Sequence, residues 1–283
     1  MQTKVSSATK EVIIDYDGPT TLIGERINPS GKKKLAEALK TGEFDVVRQE
    51  AVAQVAAGAD ILDVNVVTPG VDEIAVLPKV LEMVMASVEV PLCIDINDPA
   101  ALKEALKIYV GKPIINSVTG EEKSLNGILP IVKEYGAAVI GLTIDEDGIP
   151  KETERRVAIA HKIVEKAGAM GIPPEDIIID CLALTLGTDT NAALVTLEAI
   201  RKVKDQLGVN QTLGASNISF GLPDRSVINQ AFLAVAIPAG LTCPTVDVAK
   251  VRQTVLSADL ILGRDRFAQR YLKGFRQQAA QFK

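Results

Sequence analysis

Aromatic residues are scarce in this chain of 283 residues, where they make up 4% of the sequence and tryptophan does not occur. A ligand that stacks on a broad aromatic platform is therefore disfavoured, and a binding site should work through hydrogen bonds and aliphatic walls. Histidine occurs once, as His161, within a helical pattern at residues 155–161. This setting predicts a surface or interface histidine and not a catalytic one.

Cysteine is also rare. Cys93, Cys181 and Cys243 lie far apart in the sequence and form no CxxC pair. Their spacing argues against a zinc site and a disulfide framework, and it predicts a reducing compartment. Because Cys181 follows Asp180, it should point to the opposite side of its strand, into packing. We expect Cys93 to be a core residue as well.

Two further features are missing: a basic patch and a long apolar run free of charge. The net charge is −5, and lysine and arginine are spread along the chain, so nucleic acid is not the expected partner. Residues 1–16 lack the apolar run of a signal peptide, and no later stretch reaches membrane-spanning length without a charge. We expect a cytoplasmic protein that acts on small molecules, without a membrane partner.

From residue 20 onward, short apolar runs alternate with longer helical patterns, which is typical of strand–helix units around a parallel sheet. The pattern predicts eight strands and an outer layer of helices. Eight units with short connections, and no GxGxxG sequence, favour a closed (β/α)8 TIM barrel of the α/β class over an open doubly wound sheet. We expect one domain at residues 1–283, with a short N-terminal extension at residues 1–19. The predicted strands are 21–27, 60–66, 92–96, 113–118, 138–144, 177–184, 212–218 and 241–246, and the predicted helices include 32–39, 45–57, 99–106, 152–167, 192–207, 251–258 and 264–273.

The functional face of such a barrel lies at the carboxyl ends of its strands. Here the predicted strands end in carboxylates and amides. They suit a flat heterocycle with several N–H and C=O groups, such as a pterin, because a carboxylate accepts two parallel N–H bonds and an amide covers a neighbouring donor and acceptor. A divalent metal ion is the alternative that these residue types leave open. The strand-end residues are Glu25, Arg26, Asn28, Asp63, Asn65, Asp95, Asn116, Asp180, Ser216, Asn217 and Asp247.

Six motifs at successive strand ends, taken together, resemble those of a known family. They read Gly-Glu-Arg-Ile-Asn at 24–28, Leu-Asp-Val-Asn at 62–65, Cys-Ile-Asp at 93–95, Ile-Asn-Ser at 115–117, Ile-Asp at 179–180 and Gly-Ala-Ser-Asn-Ile-Ser-Phe-Gly-Leu-Pro-Asp-Arg at 214–225. The chain is similar in these motifs to the pterin-binding methyltransferases, namely the methyltetrahydrofolate:corrinoid protein methyltransferases and the folate-binding domain of cobalamin-dependent methionine synthase. Ala215 is a small departure, since the family usually has Leu or Gly there.

The resemblance implies an enzyme that moves a methyl group between the five-position nitrogen of tetrahydrofolate and the cobalt of a corrinoid (cobalamin). The corrinoid would be carried by a separate protein, and the enzyme would be a homodimer. Asp95, Asn116 and Asp180 would hydrogen-bond the pterin ring, and Asn217, the expected catalytic residue, would face the methylated nitrogen. Asp63, Asn65, Gly214 and Ser216 would complete the pocket, Arg225 would lie at its rim, and Glu25, Arg26, Asn28 and Ser219 would lie near the mouth. No metal is expected.

Two other functions remain as alternatives. A dihydropteroate synthase-like enzyme would share the barrel and the pterin pocket, but its first strand would be followed by an Asn-Val-Thr-Pro type loop, where this chain has Glu25-Arg26-Ile27-Asn28. The second alternative is a non-catalytic folate-binding protein, or a subunit that only docks a corrinoid protein. The chain ends about where the barrel closes, so we expect it to borrow its corrinoid. The direction of methyl transfer stays open.

Overall fold

A computed structural model describes residues 1–281, with side chains described as far as residue 277. Its main sheet has eight parallel strands, of which the first seven pair with one another in chain order and the last pairs with the first. These strands are β3 (Ile23–Ile27), β4 (Ile61–Asn65), β5 (Leu92–Asp95), β6 (Ile114–Thr119), β7 (Ala138–Leu142), β8 (Ile177–Asp180), β9 (Asn210–Thr212) and β10 (Thr245–Val246).

The sheet closes on itself between its last two strands. Gly214 and Thr245 form a parallel bridge, and the N–H of Thr245 donates to the carbonyl of Leu213 at 2.9 Å. The N–H of Thr242 donates to the carbonyl of Gln211 at 3.0 Å. The predicted α/β barrel is therefore confirmed.

Ten α-helices surround the barrel within the described residues. Their starts and ends follow local capping rules: the Asp98 side chain accepts the N–H groups of Ala100 and Ala101 at the start of α4, and Gly136 ends α5 with φ 62°. None of the described helices is both long and apolar enough to cross a membrane. The helices are α1 (Lys33–Thr41), α2 (Asp45–Ala57), α3 (Glu73–Ser87), α4 (Pro99–Ile108), α5 (Glu122–Tyr135), α6 (Thr153–Ala169), α7 (Ala192–Leu207), α8 (Arg225–Ala239), α9 (Val248–Ile261) and α10 (Gln269–Gln281).

Some predicted boundaries are wrong, and the errors concentrate where the barrel closes. The strand predicted at 212–218 is the short β9, and residues Ala215–Ser219 form a 3₁₀ helix instead. The strand predicted at 177–184 ends at Asp180, and the one at 241–246 shrinks to two residues. The closing helix predicted at 264–273 begins only at Gln269. Apolar residues continue beyond the observed strands, so the apolar pattern predicted strands that are too long.

The predicted extension at residues 1–19 contains an antiparallel hairpin, β1 (Thr3–Ser6) and β2 (Glu11–Ile14), that covers the amino-terminal end of the barrel. Val5 and Ile14 are fully buried and pack in one cluster with residues of the barrel interior, including Ile178. The buried amide of Asn210 on β9 donates to the carbonyl of Ile14 and to the hydroxyl of Thr3, at 2.9 Å each. The hairpin thus seals one end, and the polar mouth lies at the other.

Candidate active site

Three polar side chains stand at the same level on three neighbouring strands. Asn65 on β4 is paired in register with Asp95 on β5, which is paired with Asn116 on β6. The amide of Asn65 donates to the carboxylate of Asp95 at 2.8 Å. All three side chains are half-buried at the carboxyl ends of their strands. Together they form a row of hydrogen-bond donors and acceptors that a ligand in the barrel mouth can contact.

Asp63 lies beneath this row and is only 2% exposed. The amide of Asn116 donates to its carboxylate at 3.0 Å. Burial, helped by the neighbouring charge of Asp95, raises the pKa of Asp63 well above its usual range. Burial also raises the pKa of Asp95. Because Asp63 and Asp95 interact in a buried site, the state in which both carboxylates are ionised is unfavourable.

Asp180 ends β8 and is buried. Its carboxylate accepts a 2.7 Å hydrogen bond from the N–H of Leu182. Burial raises the pKa of Asp180 to about 6, although the backbone N–H groups of Leu182 and Gly214 and the positive charge of Arg156 act in the opposite direction. Asp180 therefore changes protonation state not far below neutral pH.

The loop that follows Asp180 is held by a buried arginine. Arg156 on α6 is 1% exposed, and its guanidinium donates to the carbonyls of Pro150, Cys181 and Leu182 at 2.9, 2.8 and 2.7 Å. It also donates to the hydroxyl of Thr196 at 3.1 Å. Leu182 has a left-handed backbone, with φ 61°, which an ordinary side chain rarely adopts. Sequence reasoning missed Arg156, because a charged residue within an outer helix normally indicates a solvated face.

Asn217 lies on the 3₁₀ helix Ala215–Ser219, at the rim of the mouth. Its backbone is fixed, since its N–H donates to the carbonyl of Gly214 and its carbonyl accepts from the N–H of Phe220, both at 3.1 Å. The side chain is exposed and makes no hydrogen bond with any described residue. A Cβ atom at position 214 would lie 3.1 Å from the side-chain nitrogen of Asn217, so glycine at this position avoids a close contact with that amide. The backbone of Asn217 is thus held in place, and its side-chain amide is exposed at the mouth.

Arg225 holds this 3₁₀ helix at its carboxyl end. Its guanidinium donates to the carbonyl of Ser216 at 2.8 Å and to the hydroxyl of Ser219 at 3.1 Å. The same guanidinium lies 5.8 Å from the ring centre of Phe220, a distance that permits a cation–π contact. Arg225 and Ser219 therefore fix the turn that carries Asn217.

Glu25 faces this turn from β3. The hydroxyl of Ser216 donates to its carboxylate at 2.7 Å, and burial raises the pKa of Glu25. Arg26 instead turns towards Glu50 at 3.0 Å and Asp247 at 3.6 Å. The side chain of Asn28 accepts the N–H of Ser30 at 3.0 Å, which shapes the loop before α1.

A cleft of about 440 Å³ opens beside the exposed face of Asn217. It joins the ends of β3, β9 and β10, whereas Asp63, Asn65, Asp95, Asn116 and Asp180 do not line it. Sequence reasoning missed Lys32, Asn229 and Lys250, because they lie in loops and helices after the strand ends. The cleft is lined by Glu25, Arg26, Asn28, Ser30, Lys32, Ser216, Asn217, Arg225, Ser226, Asn229, Asp247, Lys250 and Val251.

The residues of the remaining sequence predictions lie away from the mouth or within the core. Cys93 and Cys181 are buried free thiols, as predicted for core residues, and Cys243 is a buried free thiol as well. His161 on α6 pairs with the side chain of Gln206 at 3.0 Å. Among the described residues, no group of three or more His, Cys, Asp and Glu side chains is arranged to hold a metal ion.

Comparison with known proteins adds a family to this geometry. Residues 24–247 match the family described as "Pterin binding enzyme". The chain is 33% identical over 266 residues to a methylcorrinoid:tetrahydrofolate methyltransferase of Eubacterium limosum, covering 90% of this chain and 96% of that protein. It is 32% identical over 283 residues to a methionine synthase of Mycobacterium tuberculosis, covering 93% of this chain and 24% of that protein. The chain thus spans about a quarter of that methionine synthase.

Several solved structures with the same fold are dihydropteroate synthases. The enzyme from Clostridium difficile, determined in the presence of pteroic acid, superposes with a TM-score of 0.72 at 23% identity, covering 87% of this chain and 98% of that one. The Yersinia pestis enzyme superposes with a TM-score of 0.69 at 15% identity, covering 91% and 98%. At such identities the likeness shows the barrel fold alone.

Proposed function

This chain belongs to the pterin-binding enzymes, and from that premise we propose that it is a methyltransferase acting between tetrahydrofolate and a corrinoid. The methyl group moves between the five-position nitrogen of the folate and the cobalt of a corrinoid carried by a separate protein. The name of the Eubacterium limosum relative, which matches along nearly its whole length, joins the same two partners. The identity of 33% supports this function more strongly than the more distant dihydropteroate synthases support theirs.

The observation that carries the proposal is the exposed side-chain amide of Asn217 at the same end of the barrel as the acids and amides that end β4, β5, β6 and β8. In this proposal Asp95, Asn116 and Asp180 bind the N–H and C=O edge of the pterin, since carboxylates accept paired N–H bonds. Asp63, Asn65, Gly214 and Ser216 complete the pocket. Asn217 contacts the nitrogen that carries the methyl group, because its amide can rotate to donate or accept.

The reaction presents one chemical difficulty, which is the leaving group. A methyl group on a tertiary amine is a poor electrophile, because the nitrogen would depart as an anion unless a proton or hydrogen bond stabilises it. The acceptor, cobalt(I) on the partner's corrinoid, supplies a strong nucleophile for an in-line displacement. The residues here therefore act by positioning and by hydrogen bonding to the nitrogen, and no covalent enzyme intermediate forms.

A single-turnover experiment tests this function. Enzyme in excess is mixed with methyltetrahydrofolate and free cob(I)alamin, and the cobalt spectrum is followed. We expect methylcobalamin and tetrahydrofolate to form in equal amounts. Folate binding without loss of the methyl group would instead indicate a non-catalytic folate carrier. In a separate assay, formation of dihydropteroate from a pterin diphosphate and p-aminobenzoate would indicate the synthase activity.

We also propose a homodimer, formed through the outer faces of α8 and α9. These faces expose Val235, Ile261 and Leu262, with Ile261 84% exposed. They border a groove of about 330 Å³ whose lining includes Ala234, Pro238 and Ala258. Two copies of such a face can bury each other around a twofold axis. Sedimentation of wild type against Ile261→Asp tests it: the variant should be monomeric, and an unchanged mass would rule this interface out.

The cytoplasm is the proposed location. Three buried thiols that form no disulfide are compatible with a reducing compartment. Cell fractionation with an antibody to the chain tests this location, and recovery in an extracytoplasmic fraction would contradict it.

A further inference from the structure

Two cations in the cleft beside Asn217 have no carboxylate partner within 4 Å among the described residues: Lys32 and Arg225. Arg225 is engaged by Ser216 and Ser219, as described above. Lys32 has a single protein partner, the carbonyl of Arg26, to which its ammonium donates at 2.6 Å. A lysine ammonium carries three donors, so two remain for a ligand.

The setting of Lys32 is unusual for a loop lysine. It is half-buried, and burial together with the charge of Arg26 lowers its pKa. Its neighbour Lys33 is exposed and does not line the cleft. Partial burial of an ammonium without an acidic partner is unfavourable unless another group compensates for the lost solvent. An anion in the cleft would provide that compensation.

The acids of the cleft are already engaged, so they leave room for an anion. Asp247 pairs with Lys250 at 3.1 Å and with Arg26 at 3.6 Å. Glu25 accepts the hydroxyl of Ser216, and burial raises its pKa, which reduces its tendency to carry charge. In the lining as a whole, four cationic side chains face two acidic ones, and Lys32 is a cation that no carboxylate pairs within 4 Å among the described residues.

The cleft also contains an acceptor without a donor. The side-chain oxygen of Asn229 on α8 is buried and has no hydrogen-bond partner among the described residues. Buried amide oxygens are almost always satisfied by protein, water or ligand. Asn229 therefore adds to the cleft lining an amide group whose oxygen lacks a partner among the described residues.

We propose that this cleft is the binding site for the acidic tail of the folate, with Lys32 as the main contact for its glutamate carboxylates. This inference rests on the proposed function. The tail is attached to the ring carbon next to the methylated nitrogen, so a pterin whose nitrogen faces Asn217 must direct its tail past Asn217. Asn217 itself lines the cleft. Further glutamates extend towards exposed Lys250.

The test compares ligands with and without a tail on matched variants. Isothermal calorimetry measures the Kd of 6-methyltetrahydropterin, which lacks the tail, of tetrahydrofolate and of its triglutamate form. Lys32→Met should weaken binding of the two folates by about tenfold at low salt, a magnitude typical of one charge-assisted hydrogen bond, and leave the tail-less pterin unchanged. The loss should shrink as salt is raised. Lys33→Met, a change in charge at the next residue, should leave all three Kd values within about twofold.

Two results would overturn the proposal. An equal loss for the tail-less pterin would mean that Lys32 supports the pterin pocket and not a tail site. No loss for any ligand, with wild type binding all three, would mean that the tail lies elsewhere. Failure of the proposed function would give a different result. Wild type would then bind none of the three ligands, or methyltetrahydrofolate would keep its methyl group in the single-turnover experiment described above.

Discussion

Arg156 and Leu182 are joined by a 2.7 Å hydrogen bond from guanidinium to carbonyl, although Arg156 lies on an outer helix and Leu182 in the loop at the barrel mouth. The N–H of Leu182 in turn donates to Asp180. The position of the Asp180 carboxylate thus depends on a buried cation more than twenty residues away in the sequence.

Replacing this cation should affect both stability and binding. Arg156→Met removes the guanidinium donor from three backbone carbonyls and a hydroxyl, although the Leu182 carbonyl keeps a second donor in the Thr196 hydroxyl, so we expect the free energy of unfolding to fall by about 2–4 kcal/mol. Urea denaturation measures this loss, and Arg156→Lys should recover part of it. Arg155→Met is the matched control, because Arg155 pairs with Asp145 at the solvent-exposed surface, where an ion pair contributes little to stability. Equal losses at the two positions would contradict this account.

The affinity for the pterin should depend on pH through Asp180. Its pKa of about 6 lies above the ordinary value of 3.8, and only the ionised carboxylate accepts two N–H bonds. We expect the Kd of tetrahydrofolate to rise as the pH falls through 6, approaching tenfold per pH unit well below it. In Asp180→Asn the affinity should be lower at neutral pH and this part of the pH dependence should vanish. The same pH profile in wild type and variant would show that another group titrates.

The stability of the ligand-free protein should respond to Asp63 with a defined sign. Its pKa is raised in the folded state, so the native protein holds a proton that the unfolded chain loses near pH 4. Stability therefore falls as pH rises from about 4 towards neutrality, because the native state binds more protons there. In Asp63→Asn, which retains an acceptor for Asn116, the melting temperature should fall less over the same range. A steeper fall in the variant would exclude Asp63 as the source.

Asn217 should contribute to the rate of methyl transfer more than to binding. If its amide stabilises the departing nitrogen, Asn217→Ala should lower the single-turnover rate constant by about 10²-fold, comparable with the loss of one transition-state hydrogen bond. The Kd of methyltetrahydrofolate should change by less than about threefold. Equal losses in the two quantities would be the pattern of uniform binding and would exclude the catalytic role.

Much of this protein could be predicted from its sequence, for identifiable reasons. Alternating apolar runs and helical patterns depend on short-range periodicity, so they indicated eight strand–helix units and hence the polar face at the strand ends. The level shared by Asn65, Asp95 and Asn116 followed from their positions at the ends of successive strands, which the barrel brings side by side.

The sequence could not reveal features that depend on distant contacts. Asn217 was predicted at the end of a strand, whereas it lies on a 3₁₀ helix that begins directly after the closing bridge between Gly214 and Thr245. From the sequence, Arg156 is predicted to be a surface residue, because its burial depends on the packing of its helix over the loop after β8. Lys32 and Asn229 line the same cleft although they are almost two hundred residues apart in the sequence, so no local pattern joins them.

The measurement that tests the central claim most directly is a crystal structure with methyltetrahydrofolate bound. We expect the pyrimidine edge of the pterin to be hydrogen-bonded by Asp95, Asn116 and Asp180, with the amide of Asn217 within about 3.2 Å of the methylated nitrogen and the methyl group facing open solvent. A pterin bound outside this group of residues, or one whose methyl group points into the barrel where cobalt cannot reach it, would contradict the account.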